Sequence, residues 1–401
     1  MIVALVALGF LARLAIALMI GEGQAARLPE SEEYRAIGNS VAEGGGFVLP
    51  KGPSGPSRLA WRMPGYPLLV AATERLMAVP LHGLAVFQAV SGAVTLVIVG
   101  WAAARLAGTW AGLVAVALVA FDPYQVYFAA LAVPVVPTGM ALAAAMALGL
   151  KFLSSAGSSR WAWLWAAAAG AALAAAAYLQ PWAAGLVFPS GVAAFVARRH
   201  RRTLAGWAVG TAVLMLCLAP WLVRNAVRLG VPVLTTTTGQ RLFDGTPARC
   251  SGGASASGET TRHAEGLDEV GRDVSYLKLA AAEIANAPGQ WLKLAVLRVG
   301  RLWSPAPMLA EDEAPVHPAA GYTGLLPAAA LALIGVWALR RERAILVWLI
   351  LAPLWLTLVQ AALVSQVPDR LAVMPPLAVL GGAGLLALLG RQEHAPTKVG
   401  G

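Results

Sequence analysis

The sequence predicts an all-α, polytopic integral membrane protein: about ten transmembrane helices, with short amphipathic helices in two extracytoplasmic loops. Three observations carry this expectation. The 401 residues are 58% hydrophobic and only 12% charged, with a mean hydropathy of +0.68, whereas a soluble chain of this length exposes far more charge. Apolar runs long enough to cross a bilayer recur along the chain. The strict apolar–polar alternation that marks strands is scarce.

The runs fall at 1–20, 82–105, 108–131, 135–154, 161–180, 183–198, 203–227, 321–340, 344–365 and 371–390. The first, "MIVALVALGFLARLAIALMI", starts without a basic region and is followed by further spans, so it reads as an uncleaved helix. Short basic turns occur at Arg105, at Lys151 to Arg160, in "RRHRR" (198–202), in "RRER" (340–343), and in the tail with Arg391 and Lys398. All of them share one side if residue 1 starts in the cytoplasm, which obeys the positive-inside rule and predicts both termini inside. The net charge of +10 comes mostly from arginine and then reflects those turns and anionic lipid or phosphate partners, not nucleic acid. Cys217 and Cys250 offer no disulfide framework and no metal spacing.

This orientation sends two polar segments, 21–81 and 228–320, to the outer side of a single membrane-embedded domain over 1–401. Residues 31–43, 66–78, 272–287 and 289–303 carry helical periodicity and read as amphipathic helices lying over a cavity at the membrane surface. Pro288-Gly289 splits the last pair, and "SGGASASGETTR" (251–262) reads as a linker. In the first segment, "PESEEYRAIGNSVAEGGGFV" (29–48) puts Glu30, Glu32 and Glu33 in one helical turn. A helix dipole alone would favour acids there. Gly44, Gly45 and Gly46 let the chain turn after that helix. Arg13, well inside the first span, is costly in lipid and calls for a buried partner.

Several motifs recur in order between the spans: Glu30 four residues before Tyr34, "GGGF", "RMPGYPLLVA" from Arg62, "PWLVRN" (220–225), "GVPVLTTTTGQRLFDG" (230–245), "ANAPGQWLKLAVLRVGRLW" (285–303) and "PDRLAVMPPLAVLGGAG" (368–384). The series resembles the GT-C glycosyltransferases over nearly the whole chain. The nearest branches are the protein O-mannosyltransferases, the lipid A aminoarabinose transferases and the RgtA/B/C/D-like bacterial transferases. The resemblance implies an enzyme of the bacterial cytoplasmic (inner) membrane. Such an enzyme moves a sugar, with inversion, from a polyprenyl-phosphate donor to an extracytoplasmic acceptor, be it glycan, lipid or protein.

The family's catalytic Asp, four residues before a Tyr, corresponds to Glu30, one methylene longer. An inverting transfer needs a base at the acceptor hydroxyl, opposite the departing phosphate, and a carboxylate on a surface helix fits that need. Arginine suits the lipid phosphate, because its fork pairs at two points and stays charged in a dry site. The candidates are Arg62, Arg224, Arg370, Arg298 and Arg301, each of which also reads as an interfacial side chain. Tyr34, Tyr66 and Trp61 are candidates to stack on a sugar or to serve as membrane-belt aromatics, and Asn225 is a candidate polar contact. "TTTTG" resembles a family turn and reads equally as a solvated strand end. Glu32 is an acidic helper. No cofactor is required, although the Glu30-x-Glu32 spacing has the form of the divalent-cation acids of the family's oligosaccharyltransferases.

One departure stands out. The family shows a Thr-Glu or Ser-Glu pair opening the fourth span, but "LAVPVVPTGM" (131–140) holds no acid. Asp122, in "AFDPYQVYF", is the nearest substitute and reads also as a cap before Pro123. Two other classes therefore stay open: a non-catalytic scaffold of the same fold, and a lipid or sugar transporter. The transporter reading expects polar residues at mid-span and interrupted helix pairs in both halves, and beyond Arg13 the span centres are nearly free of ionisable residues.

Overall fold

The computed structural model describes residues 1–20, 28–50, 57–76, 80–155, 161–197, 201–247, 250–251, 254–255, 266–305, 319–364 and 367–390. Most of the 251–262 linker, much of the basic turns at 156–160 and 198–200, and the tail lie outside them. The described chain is helical apart from a two-residue antiparallel pairing of Cys250–Ser251 with Ala254–Ser255 and an isolated bridge between Leu49 and Arg58.

The helices run in the order α1 (Ile2–Met19), α2 (Pro29–Ala42), α3 (Gly65–Leu76), α4 (Pro80–Ala107), α5 (Thr109–Ala120), α6 (Pro123–Phe128), α7 (Val135–Ser155) and α8 (Ala162–Leu179). A 3₁₀ turn, Pro181–Leu186, leads into α9 (Val187–Val196). There follow α10 (Arg201–Leu229), α11 (Thr238–Asp244), α12 (Glu269–Asn286), α13 (Pro288–Leu302), α14 (Ala319–Ala338) and α15 (Arg343–Ala362). A second 3₁₀ turn, Val367–Val373, enters α16 (Met374–Leu388).

Among the described residues, eight helical stretches are long and apolar enough to cross a membrane: α1, α4, α7, α8, α10, α14, α15, and α16 taken together with the 3₁₀ turn before it, over Pro368–Leu388. The other two expected spans are shorter, for local reasons. The run over 108–131 breaks after the twelve residues of α5, about 18 Å of helix against a hydrocarbon core of about 30 Å. Asp122 accepts from the Tyr124 and Gln125 amides and starts α6 with Pro123 at its first position, so the chain cannot continue in line. The run over 183–198 begins as the proline-led 3₁₀ turn at Pro181. The four expected amphipathic helices appear as α2, α3, α12 and α13, and Gly44 and Gly46 take φ of +88° and +81° after α2.

Large apolar side chains such as Leu8, Val97, Leu216, Leu333 and Leu358 are exposed on the perimeter, as lipid-facing positions require. Inside, small residues bring helices together. A Cβ at Gly170 of α8 would overlap the Gly210 carbonyl of α10, so these two helices meet backbone to backbone.

Arg13 is buried, 1% exposed. Its Nη1 donates to Gly9 O (2.8 Å) and Ala120 O (3.4 Å), and its Nη2 to Val119 O (2.9 Å). The last two carbonyls close α5 and lack partners within that helix. The guanidinium fits because α4 has a glycine beside it: a Cβ at Gly92 would stand 2.7 Å from Arg13 Nε. Arg13→Leu and Gly92→Ala are each expected to lower unfolding stability in detergent by about 1–3 kcal/mol, read by thermal melting. Unchanged melting in both would show that α5 does not need this cap.

Candidate active site

The first polar segment folds back over one end of the bundle and is pinned there by the second. Glu269, the first residue of α12, accepts from the amides of Leu59 (2.5 Å) and Ala60 (2.9 Å) and from Thr236 Oγ1 (2.5 Å). The Thr236 amide donates to Ala60 O. Thr235, Thr236 and Thr237 are buried, so "TTTTG" is an interior turn leading into α11 and not a solvated strand end.

These staples bring Arg62 against α2. Its Nη1 stands 3.3 Å from Glu30 Oε1 and its Nη2 2.6 Å from Glu33 Oε2, while the guanidinium lies 5.2 Å from the Tyr34 ring centre. Arg241, on α11, approaches the same Glu30 Oε1 at 3.4 Å. Burial opposes the charge of Arg62, yet Glu30, Tyr34 and Glu33 together push its pKa above the ordinary guanidinium range. Burial, opposed by Arg62, pushes the Tyr34 phenol up to about 12, so it stays a neutral hydroxyl and is no base.

Glu30, Trp61, Arg62, Thr237, Gln240, Arg241, Asp244 and Val364 line a cavity of about 180 Å³. Val364 follows α15, so the cavity opens where a membrane-crossing helix ends. Behind it, Asp369 is 2% exposed; its Oδ1 accepts from Gln180 (3.0 Å) and its Oδ2 from Gln360. Glu30 and Arg241 both act on it electrostatically.

The structure thus gathers Glu30, Arg62 and Trp61 in the cavity lining, with Tyr34 behind Arg62, and places the other sequence candidates outside that lining. Glu32 is exposed, because two helical positions rotate a side chain by about 200°. Glu33, three positions on from Glu30, shares its face and takes Arg62. The Glu30-x-Glu32 pair therefore does not converge as cation ligands would; Glu30 faces arginines instead. Among the described residues no group of three His, Cys, Asp or Glu side chains gathers to hold a metal.

Three arginine candidates are turned onto backbone carbonyls. Arg224 donates to Leu59 O (2.6 Å), Phe47 O (3.0 Å) and Asn225 Oδ1 (2.8 Å). Arg370, 2% exposed, donates to Leu302 O (2.8 Å) and Ser304 O (2.5 Å) at the end of α13. Arg298, fully buried, donates to Ala361 O (2.6 Å) at the end of α15 and to Gly245 O. Arg301 is half-buried in the last turn of α13, outside the cavity lining.

Asn225 is buried, its Nδ2 donating to Val233 O (2.7 Å) across the Gly230 turn. Tyr34 and Tyr66 pack edge to face with centres 5.0 Å apart, and Tyr66 is fully buried with its hydroxyl on Gln88. Neither ring faces the cavity; Trp61 does. Asp122 is the cap of α6, as its position before Pro123 allowed. Sequence reading missed Glu33, Arg241, Glu269 and Asp369. The i, i+3 rule would have found Glu33, and Asp369 sits beside Arg370 in "PDR". Arg241 and Glu269 reach the site only through tertiary packing.

Neither a family model nor a curated protein matches the sequence. Solved structures do. The oligosaccharyltransferase AglB of Archaeoglobus fulgidus, in complex with an inhibitory peptide and a dolichol-phosphate, matches with a TM-score of 0.59 at 14% identity, over 97% of this chain and 50% of its own. The apo form of the Archaeoglobus fulgidus oligosaccharyltransferase matches at 0.58 and 12%, over 97% of this chain and 51% of its own. ArnT from Cupriavidus metallidurans bound to undecaprenyl phosphate gives 0.45 at 14%, over 96% and 77%. The chain shares the fold of these oligosaccharyltransferases and spans about half their length.

Glu269→Ala leaves two buried amides and a threonine hydroxyl without an acceptor. It is expected to cost about 1–3 kcal/mol and to open the 57–64 segment to limited proteolysis, with Glu269→Gln less severe. Wild-type protection of that segment in Glu269→Ala would show that the staple is dispensable.

Proposed function

We propose that this protein is an inverting glycosyltransferase of the bacterial inner membrane that draws its sugar from a polyprenyl-phosphate donor, with Glu30 as general base. The observation that carries this reading is one cavity, at the end of a membrane-crossing helix, lined by the carboxylates Glu30 and Asp244, with Glu30 held between two guanidinium groups, Arg62 and Arg241. The basic turns at the opposite end of the bundle support an orientation with both termini in the cytoplasm and the cavity outside. The similarly folded Archaeoglobus fulgidus oligosaccharyltransferase, in complex with a dolichol-phosphate, supports the donor class.

The chemistry follows from that arrangement. Both guanidiniums approach Glu30 through Oε1. A donor phosphate entering the cavity competes for Arg241, which sits more openly than Arg62 (side-chain exposure 26% against 12%), and so loosens the hold on Oε1. That oxygen takes the proton of the acceptor hydroxyl, and the acceptor oxygen attacks the anomeric carbon from the face opposite the phosphate. The carbon–phosphate-oxygen bond breaks, and its electron pair leaves with the phosphate towards Arg241. Arg62, held by Glu33 as well, keeps Glu30 in position. Trp61 is the cavity wall for the sugar, and the apolar groove bordered by Leu142, Met146, Leu173, Leu214 and Trp348 gives a prenyl chain room between helices.

Glu30→Gln is expected to reduce sugar release from labelled polyprenyl-phosphate donors by about 10²–10⁴-fold while the protein still folds. Equal turnover would remove Glu30 from the mechanism, and no wild-type turnover across a broad donor panel would favour a non-catalytic scaffold. Arg241→Gln is expected to weaken donor use strongly. Arg224→Gln lowers thermal stability but leaves the KM for the donor unchanged; a raised KM there would return Arg224 to the phosphate site.

A further inference from the structure

The end of the bundle far from Glu30 holds a second cavity, of about 450 Å³, with a largely apolar wall and a cationic rim, lined by Trp101, Arg105, Leu150, Lys151, Trp165 and Ile345 among others. Its position follows from α8. Gln180, just past the C-terminus of that helix, binds Asp369 behind the candidate active site. Trp165 lies fifteen residues earlier in the sequence, about 22 Å away along the axis.

Arg13, Arg62, Arg224, Arg241, Arg298 and Arg370 are taken up by carbonyls or carboxylates, but the two cations here are not. Among the described residues, neither Arg105 nor Lys151 has an ion pair or a side-chain hydrogen bond. The carbonyls of Leu150 and Lys151, in the closing turns of α7, are taken by Ser154 and Ser155 hydroxyls. The Lys151 ammonium instead rests between two indoles, 4.4 Å from the Trp165 ring centre and 5.3 Å from that of Trp101. Those rings fix its position without using up its charge.

Tryptophans and cations at one level, where helices end, mark headgroup depth in a bilayer. The apolar wall of Leu150 and Ile345 then runs down beside them. Arg340, Arg341 and Arg343 follow at the same end, and Glu342 is the acid among them.

We propose that this cavity is a specific site for the phosphate of an anionic phospholipid, bridged by Arg105 and Lys151 over a Trp101–Trp165 shelf, with the acyl chains along Leu150 and Ile345. The ligand chemistry is a phosphate monoanion. Its source is the bilayer, because the charged rim and the apolar wall form one continuous surface.

The test is thermal melting of delipidated full-length protein in neutral detergent, titrated with phosphatidylglycerol, with phosphatidylcholine, or with inorganic phosphate. Phosphatidylglycerol is expected to raise the melting temperature saturably, and the other two are not. Arg105→Gln/Lys151→Gln is expected to weaken the apparent affinity for phosphatidylglycerol by about thirtyfold. Arg105→Lys/Lys151→Arg keeps most of it, and so does Arg340→Gln/Arg341→Gln, which removes nearby charge outside the cavity.

An equal response to phosphatidylcholine, or a double Gln variant that responds like the wild type, overturns the site. An inorganic-phosphate response as strong as the lipid response overturns the bilayer source. A loss in the Arg340/Arg341 variant equal to that in the Arg105/Lys151 variant reduces the effect to general surface charge and overturns the specific site as well. The result is independent of sugar transfer, so its failure leaves the Glu30 mechanism untouched.

Discussion

Every helix that stops inside a membrane protein leaves carbonyl oxygens that neither water nor lipid satisfies. Here buried arginines meet that need. Arg13 closes α5 through Val119 and Ala120, Arg298 closes α15 through Ala361, and Arg370 closes α13 through Leu302. In each case a positive group also meets the negative end of a helix dipole. Arginine suits the task better than lysine because one planar fork reaches carbonyls on two elements at once. Arg298 joins α15 to the Gly245 turn, and Arg370 joins the start of the last span to the end of α13. The caps are therefore also ties between segments distant in sequence.

The same demand sorts the charges of the candidate site. Guanidiniums that face carbonyls are architectural, whereas those that face carboxylates, Arg62 and Arg241, stand in the cavity. Arg224 and Asn225 belong to the first group despite their place beside the site, since they hold Phe47, Leu59 and Val233 by their backbones. Glu269 does the complementary work from the second polar segment by accepting the Leu59 and Ala60 amides. Arg62 is thus held by its chain neighbours as much as by its ion pairs. In a buried setting that matters, because an ion pair alone repays little of its desolvation.

Much of the architecture was legible in the sequence. Hydrophobic runs mark spans because lipid tolerates little else, and the four amphipathic helices announce themselves by a 3.6-residue period. Where the reading of the fold erred, a local break won over hydropathy. Asp122-Pro123 ends a run that looks continuous by composition, and Pro181 opens another as a 3₁₀ turn. The arginines were harder. A phosphate ligand and a helix cap need the same residue type at the same membrane depth, and only the position of the facing carbonyl separates them. Arg241 and Glu269 left no periodic trace at all, since their partners lie about two hundred residues away in the chain.

The truncated α5 has a consequence for how such a protein varies. Above its last carbonyl, the column it would have filled is occupied by the short α6 and by irregular chain up to Val135. Arg13 fixes the end of α5 from below, and the segment above is held as closely: Gln88 donates to the Ala129 and Leu131 carbonyls, and Gln125 to the Leu371 carbonyl. Phe128, Ala129 and Leu131 are buried. Insertions or deletions between Phe121 and Pro134 would therefore disturb three elements at once, which makes the interrupted column a fixed hub and leaves variation to other parts of the chain.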